Sequence, residues 1–290
     1  MRILAGIDAY PESESTFRAA VEVALALEAK PFFVHAVPMA RHSAYAALDS
    51  GDSREVALQK IEGELQRRLE GWCAESPWAG REVNLDVLDG RPAKVIVRQA
   101  HEHGVDWLVI GQHKKHGYLD FGNTMRQAFA ATELPIWMQV GAWKHPKTIL
   151  APVDLSPASE IVLAQARDLA RAFQAKLIVL HCCSTPFFAT TYSGAPPAVM
   201  PNYVVESIHE EDRQAFETLV STFDWQGVEH ESRFEDAEAV ECIREHTGEV
   251  DLLVMGQHGH GWISSTVLGS TAYAVLKDSK CSVLALRQLG

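Results

Sequence analysis

The chain repeats itself, and this constrains its fold more than any other feature. MRILAGID ends at Asp8 and KTILAPVD ends at Asp154; VDWLVIGQH spans 105–113 and VDLLVMGQH spans 250–258, identical at seven of nine positions. The offsets are 146 and 145 residues. Two matches in the same order at near-constant spacing mark a duplicated unit. The join falls in the turn-like GAWKHPK, 141–147, so the expected domains are 1–143 and 147–290.

Each copy alternates strand and helix. In the second, TILAPVD, KLIVLHCC, HESRF, DLLVMG and SVLALR read as strands. Ser156 reads as a helix N-cap with Pro157 in the first turn, and Ile161, Ala164, Leu169 and Phe173 are spaced for one buried helical face. A helix is expected from about Val204 to Phe223, a short one over AEAVECIREHT and a last one over TAYAVLKDS. The first copy follows the same plan, with strands ILAGID, PFFVHAV, VNLDVL, DWLVIG and PIWMQV. Apolar strands joined by helical crossovers imply a parallel sheet covered on both faces. Right-handed crossovers then give two tandem doubly wound α/β domains of five strands, order 3-2-1-4-5. The apolar fifth strands, PIWMQV and SVLALR, would each be an exposed edge. They are expected to pair within the chain about a pseudo-twofold axis, and a homodimer stays open.

Composition removes several classes. Formal charge is −12 at pH 7, which repels a phosphate backbone or an anionic membrane. No apolar run reaches the roughly 20 residues of a membrane span, and the first strand-like run starts at Ile3, leaving no room for a secretory signal. Five cysteines, an odd number without a C-x-x-C pair, argue against a disulfide framework or a zinc motif and fit a reducing cytoplasm.

The stretch GQHGHGWISSTVLGST, 256–271, stands between a buried strand and a helix. In doubly wound sheets, ligands bind outside the carboxyl ends of the strands where strand order reverses. Here that is between strands one and four, so Asp154 and Gly256 meet at one crevice. Glycine permits close backbone approach. Gly269, Ser270 and Thr271 then open a helix whose free amides and dipole favour an anion, while Asp154 suits a ribose hydroxyl or a base amine better than a phosphate. The combination reads as a nucleotide site.

The spacing G-x2-G-x9-G-[S/T], placed after a strand and before the last helix and strand, resembles the nucleotide-binding motif of the universal stress protein family. TILAPVDLSPAS resembles that family's first strand and helix start. The resemblance covers both copies and implies a tandem, two-domain member that binds ATP in motif-bearing domains. Matched by position, it implies contacts at Asp154, Cys182, Met255, Gly256, Gly259, Gly269, Ser270 and Thr271, with Cys182 acting through its backbone at the adenine. The first copy departs from the pattern. GQHKKHGYLDFGNT keeps Gly111, Gly122 and Thr124, but Lys114 stands at the place of Gly259, Asn123 at that of Ser270, and the loop is two residues shorter. Poor or no nucleotide binding is expected there, although Asp8 remains.

Other candidates have plainer readings. His101 with His103, and His258 with His260, are two residues apart and share no helix face. QHGHG has the wrong spacing and strand for a nucleotidyl transferase signature, and neither Ser156 nor Ser270 lies in a nucleophile elbow. The acidic run EDAEAVECIRE reads as a solvated helix face. Phe187, Phe188, Tyr192 and Tyr203 lie in an insertion that reads as a lid over the crevice, as a contact surface, or equally as a surface loop without function. No general base or arginine finger stands out beside the phosphates, so at most slow hydrolysis is expected, with magnesium held by phosphates and water. The reading is a cytoplasmic, stress-responsive nucleotide-binding module. A weak ATPase or nucleotidyl transferase of the same fold, and a module for another ligand or a protein partner, stay open as alternatives.

Overall fold

A computed structural model of the chain describes residues 1–38, 54–112, 123–183, 202–257 and 268–287. The first copy runs β1 (Arg2–Gly6), α1 (Ser13–Ala26), β2 (Lys30–Val37), α2 (Arg54–Ala74), β3 (Leu85–Asp89), α3 (Pro92–His103), β4 (Trp107–Gly111), α4 (Asn123–Ala131) and β5 (Ile136–Gln139). The second runs β6 (Thr148–Pro152), α5 (Ser159–Phe173), β7 (Lys176–Cys183), α6 (Asn202–Thr222), β8 (His230–Asp236), α7 (Ala239–His246), β9 (Leu252–Gly256), α8 (Ser270–Asp278) and β10 (Ser282–Leu286).

All ten strands form one sheet, ordered β3-β2-β1-β4-β5-β10-β9-β6-β7-β8. Within each copy neighbours are parallel and follow the order read from the sequence. The copies meet where β5 and β10 pair antiparallel, Leu284 opposite Trp137. Pairing the fifth strands turns two would-be edges into a sheet centre. The remaining edges are β3 and β8, and β8 carries the charged run HESRFED, which opposes further strand addition.

Burial explains why the strands are apolar throughout. Alternate residues of one strand face opposite sides: Ile149, Ala151 and Val153 enter one core layer, Leu150 the other. Each layer draws residues from both copies, so the two layers of helix-covered core run across the junction. The helix ends repeat as well. Glu28 and Gln174 both adopt left-handed φ, 51° and 55°, and Ala29 and Ala175 donate back to the carbonyls of Ala24 and Ala170. This is the closing pattern of a Schellman motif, here made without glycine.

Two details differ from the sequence reading. α5 begins at Ser159, not after Ser156, and its N-cap position is Ala158, with no side-chain cap. Leu169 and Phe173 are buried as expected, but Ile161 is 49% exposed and Ala164 half-buried; Val162, Leu163, Ala166 and Ala170 complete the buried face. The difference is confined to the first turns, where the chain spends residues 155–158 on a turn before the helix starts. No helix among the described residues is long and apolar enough to cross a membrane.

Candidate functional site

Asp154 follows β6 and organises that turn. Its Oδ1 accepts from the Ser156 N–H at 3.0 Å, from Ser156 Oγ at 2.6 Å and from Ser159 Oγ at 3.1 Å. The bonds close a local turn around Leu155, which adopts φ 62°, a left-handed conformation uncommon without glycine. Ser156, read from sequence as a cap, is therefore a donor to Asp154. The first copy does the same thing: Asp8 Oδ1 accepts from the Tyr10 N–H at 2.9 Å and from Ser13 Oγ at 2.7 Å. Since Asp8 keeps this role in the copy whose glycine loop has diverged, the aspartate has a structural function that needs no ligand.

A histidine behind each aspartate escaped the sequence reading. His181 Nδ1 bonds the Val153 carbonyl and His35 Nδ1 the Ile7 carbonyl, both at 2.9 Å. In each, the ring nitrogen must carry the proton, because a carbonyl only accepts. Each bond fixes the residue before the aspartate. The 146-residue offset between the two histidines was the available signal.

Strands one and four do not pair alike in the two copies. β1 and β4 pair through Gly6 opposite Ile110. β6 and β9 pair only at Ile149–Leu252 and Leu150–Leu253. Pro152 accounts for this. Along a strand, N–H groups point alternately to the two neighbours; Val153 donates to Leu180 of β7, so position 152 faces β9. Gly6, its counterpart, has an N–H to give, and proline has none. The carboxyl ends of β6 and β9 thus run on unladdered to each other, at the point where strand order reverses.

β9 ends on Met255 and Gly256, which remain paired to Ala285 and Leu286 of β10. Met255 is 5% exposed with its side chain in the core, so only its backbone can meet a ligand. Gln257 is held by its N–H to the Leu286 carbonyl at 2.7 Å, and its own carbonyl accepts from the Gly269 N–H at 2.9 Å. That last bond ties the start of α8 to the end of β9 and closes the intervening loop. It also consumes the Gly269 amide, one of the donors expected for an anion. Ser270 is exposed and Thr271 half-buried in the first turn of α8, whose N-cap, Gly269, bears no side-chain hydrogen bond. Among the described residues the buried Gln257 Nε2 has no partner, a polar orphan beside the loop. Gly259, like Lys114, Gly122, His258 and His260 and the aromatics at 187, 188 and 192, lies outside the described residues; Tyr203, on α6, is 73% exposed.

Cys182, the penultimate residue of β7, has its thiol turned toward Cys242 at 2.7 Å. Burial and the neighbouring thiol push the Cys182 thiol well above the ordinary thiol range, with Glu235 and Glu238 adding to the effect. Without a metal ion it is held as the thiol and is not a nucleophile.

Glycine at the end of strand four has a packing reason too. A Cβ on Gly111 would collide with Thr16 Oγ1 of α1. Gly111→Ala is expected to cost about 1–3 kcal/mol through overpacking, with nucleotide stoichiometry unchanged, as read by denaturant unfolding and calorimetry of the full chain.

The universal stress protein family model matches residues 1–138 and again 145–287. The chain belongs to the universal stress protein family. Curated relatives span one copy each. Universal stress protein A homolog 1 of Coxiella burnetii is 32% identical over 145 residues, which is 49% of this chain and 96% of that protein. Universal stress protein YxiE of Bacillus subtilis is 28% identical over 145 residues, 48% of this chain and 97% of that one. Several solved structures resemble the whole tandem. A universal stress protein from Archaeoglobus fulgidus has TM-score 0.65 at 14% identity, covering 99% of this chain and 96% of that one. A protein titled functionally unknown, PA1789 from Pseudomonas aeruginosa, has TM-score 0.69 at 17% identity, covering 99% and 92%. At these identities the structures speak to fold: this universal stress protein is a tandem of the family's α/β unit.

Proposed function

We propose that this tandem universal stress protein binds ATP or another adenine nucleotide in its second copy and acts as a ligand-responsive binding module of the cytoplasm. The observation that carries the proposal is the asymmetry at the strand-order reversal. Pro152 ends the β6–β9 ladder early, and Gln257 anchors the N-terminus of α8 beside the gap; in the first copy the same position is laddered shut.

Phosphates would lie over Gly256, Gly259 and the first turn of α8, taking the amides and hydroxyls of Ser270 and Thr271. Helix N-termini favour anions through those unsatisfied amides and the helix dipole. Gly269 contributes a surface without a side chain, since its N–H is already bonded. The sugar and base would sit toward Asp154 and the backbone of Cys182 and Met255. Asp154 would hold its turn in shape and offer remaining acceptor capacity to a ribose hydroxyl. Magnesium, if carried in with the nucleotide, would be held by phosphates and water. The two units would be 1–143 and 147–290, the first without nucleotide.

Titration calorimetry of the full chain with ATP, ADP and AMP tests this. One site per chain is the expected result. Two equivalent sites would remove the asymmetry argument, and no heat from any adenine nucleotide would remove the function.

A further inference from the structure

On the outer part of the second copy, four potential metal ligands converge from three elements. Cys182 is the penultimate residue of β7, Glu235 that of β8, and Cys242 and His246 stand four residues apart on one face of α7. Cys182 Sγ lies 2.7 Å from Cys242 Sγ, Cys242 Sγ 3.3 Å from Glu235 Oε2, and His246 Nε2 2.7 Å from Glu235 Oε1. One ligand atom from each of Glu235, Cys242 and His246 can be chosen so that all lie within 4.8 Å of one another.

We propose that Cys182, Cys242, His246 and Glu235 form a binding site for one zinc-class divalent cation. The donor set, two sulfurs, an imidazole and a carboxylate, is the one that borderline-soft cations take in tetrahedral geometry. Metal–ligand bonds of about 2.0–2.3 Å put tetrahedral ligand atoms about 3.3–3.8 Å apart. Cys242 Sγ and Glu235 Oε2 stand at that spacing; the Cys182–Cys242 and His246–Glu235 pairs, at 2.7 Å, are hydrogen-bonded to each other and must rotate apart to admit the ion. Glu235 is 38% exposed and offers a path in, while His246 is 15% exposed and Cys242 is buried. Glu238, Glu245 and Glu249 add negative field around the cluster, opposed by the guanidinium of Arg233. Glu249 Oε2 lies 3.7 Å from His246 Nδ1, the position from which a carboxylate orients a metal-bound imidazole. Arg233 Nη1, at 3.4 Å from the same nitrogen, competes for it and would have to yield.

The plainer reading is a hydrogen-bonded polar cluster that the fold requires. The internal repeat argues against it. Cys182 and Glu235 face each other in the β7–β8 register; the corresponding pair in the first copy is Ala36 and Leu88. The same fold is built there with two apolar side chains, so packing does not call for a thiol and a carboxylate. A disulfide between the cysteines would use neither Glu235 nor His246. The site is separate from the proposed nucleotide contacts, which involve only the Cys182 backbone, and its test reads out independently.

The test uses the full chain, stripped of metal under reducing conditions. Zinc uptake is measured by competition with a chromophoric chelator, and ligand identity by the near-ultraviolet sulfur-to-metal charge-transfer band of the cobalt(II) form. The expected result is one ion per chain with a band of two-thiolate intensity. Cys182→Ala and Cys242→Ala should each halve that band and weaken zinc by more than about 100-fold, since loss of an outer-shell partner alone costs about 10–100-fold. Cys182→Ala installs the residue the first copy uses at this register, and its metal-free melting curve verifies that it folds. No uptake at micromolar zinc overturns the proposal. So does a cobalt form without the sulfur band, uptake unchanged in the double variant, or a chain mass lower by two hydrogens that marks a Cys182–Cys242 disulfide under these conditions.

Discussion

Asp154→Ala will abolish nucleotide binding, while Asp8→Ala will leave it intact, although both will destabilise the chain. Asp154 Oδ1 accepts from three donors, Asp8 Oδ1 from two. Hydrogen bonds to a charged group contribute about 1.5–3 kcal/mol each, and not additively. Ser159, 2% exposed, would be left with a buried hydroxyl, which adds a desolvation cost. The expected losses are about 2–4 kcal/mol for Asp154→Ala and somewhat less for Asp8→Ala. Stability alone therefore cannot separate the two copies, and nucleotide stoichiometry can. Without Asp154, the left-handed Leu155 loses the bond that holds its turn, and the wall of the crevice moves. Asp154→Asn keeps one oxygen acceptor and should retain most of the stability with weakened binding. Calorimetry at a temperature where all three variants are folded reads the outcome. Loss of binding in Asp8→Ala would place the nucleotide in the wrong copy.

That comparison is possible because so much was legible from the repeat. Two matched segments at a fixed offset gave the duplication, and Asp8, Asp154, Gly111 and Gly256 marked the ends of strands one and four. Parallel strand order followed from crossovers and apolar runs. What stayed hidden depends on which residues face each other across strands. Pro152 reads as one more residue in TILAPVD until the ladder shows that its missing N–H would have faced β9. Ser156 looks like a cap because serine followed by proline commonly is one; only the side-chain bond to Asp154 shows that the turn comes first and the helix later. The Gly269 amide looked free from its position before a helix, and it is spent on the carbonyl of Gln257, just past the end of β9. Cys182, Glu235 and Cys242 are dispersed over sixty residues, and no spacing rule links them. Cys242 and His246, four apart on one short helix, were the only local sign.

The other large effect concerns the junction. Trp137→Ala should lower the stability of the whole chain by roughly 3–5 kcal/mol, the range for removing a buried aromatic. Trp137 is fully buried on β5, opposite Leu284 of β10. Its ring lies 6.4 Å from that of Phe173, which belongs to α5 of the second copy, and 6.1 Å from Trp143 in the join. Its Nε1 donates to Gln139 Oε1 at 3.2 Å, an oxygen that also accepts from Ser282 Oγ of β10 at 3.1 Å. The substitution therefore opens a cavity between copies and removes one of the two bonds accepted by Gln139 Oε1, at a polar node that both share. Because each core layer crosses the sheet junction, neither copy can lose this contact without the other feeling it. Guanidinium unfolding followed by circular dichroism should show one transition in both proteins, with a lower midpoint and an unchanged slope for the variant. Two separated transitions, only one of them shifted, would mean that the copies fold as independent bodies that merely touch along β5 and β10. A single shifted transition would mean that ligand binding in the second copy stabilises the first as well, since anything that binds the native state alone raises the free energy of the one unfolding step they share.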